Sequence, residues 1–102
     1  MKTKSFLICP VRGVSQSANL ELVEQLEKEG FSVYYPARDT DQDDPTGLEI
    51  CEANRLAIVE ADVVHFSWDG QSQGCLFDLG VAFSLGKNII PLSMPGIVTG
   101  KR

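Results

Sequence analysis

Residues 63–92 read VVHFSWDGQSQGCLFDLGVAFSLGKNIIPL. The apolar run Val63 to Phe66, broken only by His65, ends in a polar loop from Ser67 to Gln73. Leu76, Leu79, Val81, Ala82 and Phe83 then recur at helical spacing between Gly74 and Leu85, and Gly86 separates them from a second apolar run, Asn88 to Leu92. Strand, helix and strand in that order predict a βαβ unit with a broadly buried helix. Two parallel strands joined in this way need a right-handed crossover.

The same alternation extends toward the amino terminus. Ser5 to Cys9 is a short apolar run stopped by Pro10, which predicts a buried first strand. Ala18, Leu22, Val23 and Leu26 mark a helix from Ser15 to Glu29, with Ser15 or Ser17 to cap it and Gly30 suited to its end. Phe31 to Tyr35 predicts a second strand, and the polar stretch Ala37 to Thr46 a loop. Leu48, Cys51, Leu56 and Ile58 or Val59 predict a second helix over 47–61, with Glu49 and Glu52 near its positive end. The expected fold is α/β, doubly wound: a Rossmann- or flavodoxin-like parallel sheet of about four strands with helices on both faces. The last ten residues, Ser93 to Arg102, are expected to form a loose tail or a short edge element.

A chain of 102 residues, 43% apolar and 23% charged, fits one globular domain spanning 1–102. Folding at this size buries about 65% of the unfolded surface, enough for a core without disulfide staples. Cys9, Cys51 and Cys75 are odd in number and lack Cys-x-x-Cys spacing, so they are expected as buried thiols and not as a disulfide or zinc framework. A net charge of −5 and nine scattered basic residues leave no stripe for a nucleic-acid polymer. No run is long enough to span a bilayer, and no signal peptide is evident; a cytoplasmic location is expected. Asp39 to Asp44 holds four carboxylates in six residues. It lacks the glycine and distal glutamate of a calcium loop, so a solvated acidic loop is expected and no metal. No cofactor is implied.

In an open α/β sheet, ligands bind beyond the carboxyl ends of the strands, where strand order reverses. Three loops qualify: Cys9 to Ser17, Tyr35 to Thr46, and Phe66 to Gly74. In the first, Arg12, Gly13 and Ser15 precede a helix and suit a phosphate or carboxylate, although neither a dinucleotide fingerprint nor a Walker loop is present. In the second, Arg38 and Asp39 lie nearest the strand end. In the third, Asp69, Ser72 and Gly74 lead to Asp78, placed around the first turn of its helix, where the dipole is expected to lower its pKa. A low-pKa carboxylate facing a cleft suits nucleophilic attack on a sugar or stabilisation of an oxocarbenium-like centre. Asp69 can hold a hydroxyl or supply a proton. Trp68 and Tyr35, at strand ends, can stack on a nucleobase or close the core. His65, the sole histidine, reads as a packed strand residue, so no Ser-His-Asp or Cys-His arrangement can be built.

Three stretches carry a family resemblance: LICPVRG at 7–13, ICEANRLAIVEAD at 50–62 and GCLFDLGVAFSLGK at 74–87. Through them, from Phe6 to Leu92, the chain resembles the nucleoside 2-deoxyribosyltransferase-like superfamily, including its deoxynucleoside 5′-monophosphate N-glycosidase branch. The resemblance implies that Asp78 stands where a glutamate usually attacks C1′ of the sugar, and that Arg12 matches an arginine able to bind a 5′-phosphate. Asn54 stands where the enzymes generally carry an aspartate that orients sugar and nucleophile. The implied function is an N-glycosidase or N-deoxyribosyltransferase acting on small nucleosides or nucleotides, with Cys9, Arg12, Gly13, Ser15, Tyr35, Asp39, Asn54, Trp68, Ser72 and Gly74 around the ligand. The alternative is a catalytically inactive nucleotide- or nucleotide-sugar-binding module of the same fold. A homo-oligomer is expected, because four strands and an apolar third helix that includes Phe77, Val81 and Phe83 leave surface for a partner.

Overall fold

The computed structural model describes residues 2–10, 16–68 and 72–93. Four strands, β1 (Thr3–Ile8), β2 (Phe31–Tyr34), β3 (Val63–Ser67) and β4 (Asn88–Ser93), form one parallel sheet in the order β2-β1-β3-β4. Ser5 sets the register, opposite Val33 on one side and Val63 on the other. The helices are α1 (Gln16–Lys28), α2 (Pro36–Asp39), α3 (Leu48–Glu60) and α4 (Gln73–Ser84). The α/β architecture is the expected one.

The core follows from the two-residue period of β1. Phe6 and Ile8 pack with Ile58 of α3 and with Cys75 and Ala82 of α4, whereas Leu7 and Cys9 pack with Val23 and Leu26 of α1. One helix therefore covers one face of the sheet and two cover the other, as right-handed crossovers demand when the chain steps outward to β2 and then back across β1 to β3. Strand order reverses between β1 and β3, so the loops leaving those two strands diverge and open a crevice.

Local chemistry sets the remaining boundaries. Gly30, with φ of 104°, turns the chain from α1 into β2 in a conformation that only glycine adopts cheaply. The stretch expected as a loop after β2 begins with α2, whose first position is Pro36, where a missing N–H costs nothing. Asp44 caps α3 from outside the helix: Oδ2 accepts from the N–H groups of Glu49 and Ile50 at 2.8 and 3.1 Å, and Oδ1 accepts from Thr46. At the other end of α3, Lys87 Nζ donates to the carbonyls of Val59 and Ala61, each at 2.8 Å. The β3–β4 register shifts between Phe66 and Ser67, beside Pro91, which has no N–H to give the ladder.

The expectation of a broadly buried α4 is corrected. Cys75 and Ala82 are buried, but Leu76, Phe77 and Phe83 are exposed, because α4 meets the sheet along one stripe only and α3 covers just its flank. Among the described residues no helix is long and apolar enough to cross a membrane. The expected tail beyond Ser93 lies outside the described residues.

Candidate active site

At the carboxyl end of β1 lies a cavity of about 170 Å³. The end of β1 contributes Cys9, α2 and the following segment contribute Pro36 and Gln42, and α3 contributes Ile50, Cys51 and Asn54. The start of α4 closes it with Ser72, Gly74, Cys75, Phe77 and Asp78. A larger cavity, about 470 Å³, opens between β2 and the second half of α3. Its walls combine Val33, Tyr34, Ala53, Leu56 and Ala57 with the polar side chains of Lys4, Ser5, Ser32 and Glu60. Position at the strand-order reversal assigns the candidate site to the smaller one, which holds Asp78, whereas the carboxyl group of the larger, Glu60, lies at the far end of α3.

Asp78 is the one carboxyl group that borders this cavity among the described residues. Burial raises its pKa to about 6, and no partner among the described residues offsets that penalty. The expectation of a lowered pKa is thereby corrected. With Gln73 as the first residue of α4, Asp78 falls in the second turn, beyond the reach of the positive helix end, and desolvation wins. Ser72 caps the helix instead, its side chain accepting from the Cys75 N–H. At neutral pH most Asp78 side chains are ionised, and a poorly solvated carboxylate is a stronger nucleophile than one in water.

Asn54 is buried on α3 and accepts a hydrogen bond at Oδ1 from Thr40 Oγ1 at 2.8 Å. Cys9, Cys51 and Cys75 are free thiols, and all three border the cavity. Burial, reinforced by Cys75, pushes the Cys9 thiol up to about 12, so it is inert as a nucleophile at neutral pH. Phe77 is 53% exposed at the rim and offers an aromatic face.

Of the residues singled out from sequence, Cys9, Asn54, Ser72, Gly74 and Asp78 come together here. Tyr35, Asp39 and Trp68 stand elsewhere. Tyr35 is buried against α1, and its hydroxyl accepts from Asn19 Nδ2 at 3.2 Å. Asp39 accepts from the Tyr35 N–H and from Arg38. Burial pushes its pKa up, but these bonds more than reverse the effect and hold it below the usual carboxylate value. Arg38 turns away toward the outer strand, donating to the Val33 carbonyl at 2.7 Å. Trp68 packs against the α3 and α4 core, and its Nε1 donates to the Ser72 carbonyl at 2.9 Å, tying the ends of its loop together. Arg12, Gly13, Ser15 and Asp69 lie outside the described residues. Sequence reasoning missed Thr40, Gln42 and Cys51. Cys51 carried a signal, since it precedes Asn54 by three residues and so shares its helix face.

The family model described as nucleoside 2-deoxyribosyltransferase matches residues 8–95. Among solved structures, the chain is similar to a 2-deoxyribosyltransferase from the psychrotolerant bacterium Bacillus psychrosaccharolyticus, described as a biocatalyst for nucleoside synthesis. The TM-score is 0.72 at 21% identity, over 92% of this chain and 74% of that one, a likeness of fold. No curated protein sequence matches the chain.

Proposed function

The chain belongs to the nucleoside 2-deoxyribosyltransferase family, and from that premise we propose that it cleaves the N-glycosidic bond of small (deoxy)nucleosides or their 5′-monophosphates. The reading rests on one observation: a half-buried carboxyl, Asp78, with no partner among the described residues, set in a cavity at the strand-order reversal. A structural carboxylate would be expected to hold an amide or a cation, as Asp44 and Asp39 do. Asp78 is left free for a ligand.

In the proposed reaction an Asp78 oxygen attacks C1′ as the C1′–N bond breaks, and the bonding pair leaves with the base, which takes up a proton. Water or a second base then attacks C1′ from the opposite face and releases the carboxylate. Two inversions give net retention. Hydrolysis and base exchange differ only in which nucleophile reaches the glycosyl-enzyme. His65 is outside the cavity, so the proton comes from solvent or from Asp69. Sites that enclose a drug-sized ligand measure roughly 300–1,000 Å³. A cavity of about 170 Å³ thus seats one ring of a nucleoside, the sugar beside Asp78, and leaves the base at the rim against Phe77. Arg12 is assigned the 5′-phosphate on the family resemblance.

The proposal includes a homo-oligomer in the cytoplasm. Leu56 and Val59 of α3 and Leu76 and Phe83 of α4 are exposed, Phe83 by 77%, and such a surface is stabilised by a second copy. Sedimentation of a monomer at high concentration would refute that part. The catalytic reading is tested by chromatography of free base from deoxynucleosides and their 5′-monophosphates, with and without an acceptor base. Base release abolished in Asp78→Ala supports it, and a loss confined to monophosphates in Arg12→Ala supports the phosphate site. Binding without release favours the silent module, for which the one specific observation is an amide, Asn54, at a position where the family enzymes carry an acid.

A further inference from the structure

Asn54 is held from behind by the Thr40 hydroxyl, to which the Tyr34 hydroxyl is bonded. Thr40 Oγ1 donates to its Oδ1 at 2.8 Å, and Thr40 and Asn54 expose only 6% and 7% of their surfaces. The Tyr34 hydroxyl bonds in turn to Thr40 Oγ1 and lies 3.4 Å from the Asp39 carbonyl. The short helix α2 delivers Thr40 to this place, its N–H bonding back to the Pro36 carbonyl at 3.0 Å.

Each hydroxyl has one proton, and that fixes the direction of the chain. If Thr40 donates to Asn54, Tyr34 donates to Thr40, and both bonds have ordinary or short lengths. The reverse order would need Nδ2 against Thr40, whereas the Asn54 atom 2.8 Å from Thr40 Oγ1 is Oδ1, which can only accept. The forward order wins. It turns Oδ1 toward Thr40 and Nδ2 toward the cavity that Asn54 borders. Among the described residues no sealed side-chain nitrogen or oxygen lacks a partner, so Nδ2 is open to that cavity.

We propose that Tyr34 and Thr40 are positioning residues that lock the Asn54 amide with its Nδ2 donor facing the cavity, so that the site selects ligands presenting a neutral acceptor there: a nucleoside carbonyl, ring nitrogen or sugar oxygen. This rests on the nucleoside reading. An aspartate at this place would present an acceptor and favour N–H or O–H groups instead. Asn54 is then a recognition group that neither gives up a proton nor carries charge.

The test uses the ¹⁵N-labelled protein, with the Asn54 side-chain amide assigned by its loss in Asn54→Asp. Thymidine, 2′-deoxyadenosine and their 5′-monophosphates are the probes. Binding is expected to move the Nδ2 proton signals. Thr40→Val is expected to shift those signals in the free protein and to weaken binding about three- to tenfold, the worth of one hydrogen bond to a neutral group. Thr40→Ser should restore both. Tyr34→Phe keeps the ring stacked on Phe6, with centroids 5.5 Å apart, and should reproduce the Thr40→Val shift at unchanged fold. Unaltered Kd and unmoved Nδ2 signals in Thr40→Val would overturn the proposal. If none of the four probes binds, the nucleoside reading fails and with it the ligand class. The relay is then decided by the free-protein spectra alone, and Nδ2 signals unmoved by Thr40→Val would refute it.

Discussion

Ser5 Oγ and His65 Nδ1 lie 2.6 Å apart on adjacent strands, sixty residues apart in the chain and both almost wholly buried. Phe31 meets the imidazole edge-on at a centroid distance of 4.8 Å. The only histidine of the chain is thus committed to the sheet and not to the cavity. Burial lowers its pKa, with Glu29 opposing weakly, so the folded state disfavours the charged ring. A depressed folded pKa contributes stability that is whole above the unfolded value of about 6.5 and is lost as pH falls through that value toward the folded one. Urea unfolding of Asp78→Asn, which lacks the opposing carboxyl, should show the loss between pH 8 and pH 5.5, and adding His65→Phe should abolish it. Ser5→Ala leaves a buried ring nitrogen without its partner and should cost about 1–3 kcal/mol, while base release per folded molecule stays unchanged.

Asp78 gives the opposite sign. Its folded pKa, about 6, lies above the unfolded value of 3.8, so its contribution to stability is whole below about pH 4 and is lost as pH rises through 6. Asp78→Asn removes the burden of the buried charge. Its melting temperature should exceed that of the parent at pH 7.5 by the equivalent of up to about 3 kcal/mol, from two pKa units at 1.36 kcal/mol each, and the two should converge near pH 4. Base release should vanish in the same variant, whereas in the parent kcat/KM should rise with pH through about 6 as the nucleophile ionises. A variant that is less stable at pH 7.5 would contradict a desolvated carboxylate.

The fold was legible because β1, β3 and β4 are short apolar runs with glycine or proline at their ends, and because α1 shows a clear apolar stripe. Burial of α4 was misjudged because Leu76, Phe77 and Phe83 are as apolar as a core residue, and sequence does not say which flank a neighbouring helix covers. Asp78 was found from its place among apolar residues, but its pKa depended on the turn it occupies and on the depth of the cavity. Thr40 was invisible: it sits in an acidic stretch that reads as a solvated loop, and only the fold of α2 brings its hydroxyl to Asn54. Tyr35 and Trp68 were plausible stacking groups at strand ends. The packing of α1 and the bond to the Ser72 carbonyl took them out of the site.

Asp44 does for α3 what Gly47 at its N-cap cannot, since glycine offers no side-chain acceptor. Desolvation is the largest single influence and pushes the Asp44 pKa up, but four hydrogen bonds together outweigh it and hold the carboxylate below the usual range. Asp44→Ala should free the Glu49 and Ile50 amides, and their hydrogen exchange should quicken while that of Ile58, deep in the core, changes little. The effect should also appear in the parent on acidification, because a depressed carboxylate pKa gives stability that is lost as pH falls through the folded value. Equal protection of Glu49 and Ile50 in the two proteins would show that the cap is dispensable.

The three thiols around the cavity differ enough in burial to report on it. Cys9 is buried and its pKa is pushed up to about 12, Cys75 is buried beneath the first turn of α4, and Cys51 is half-buried on the α3 wall beside Asn54. Reactivity follows thiolate fraction and access, so Cys51 should react first. N-ethylmaleimide at pH 7.5 is expected to give a single adduct at Cys51 by mass spectrometry, with Cys9 and Cys75 modified only after unfolding. The adduct would fill much of a cavity of about 170 Å³ and so block ligand binding. A bound deoxynucleoside should in turn slow the labelling, and Cys51→Ser should escape the block. Labelling that proceeds at the same rate with saturating nucleoside present would mean that the ligand sits away from α3, and would move the site off the Asp78 cavity altogether.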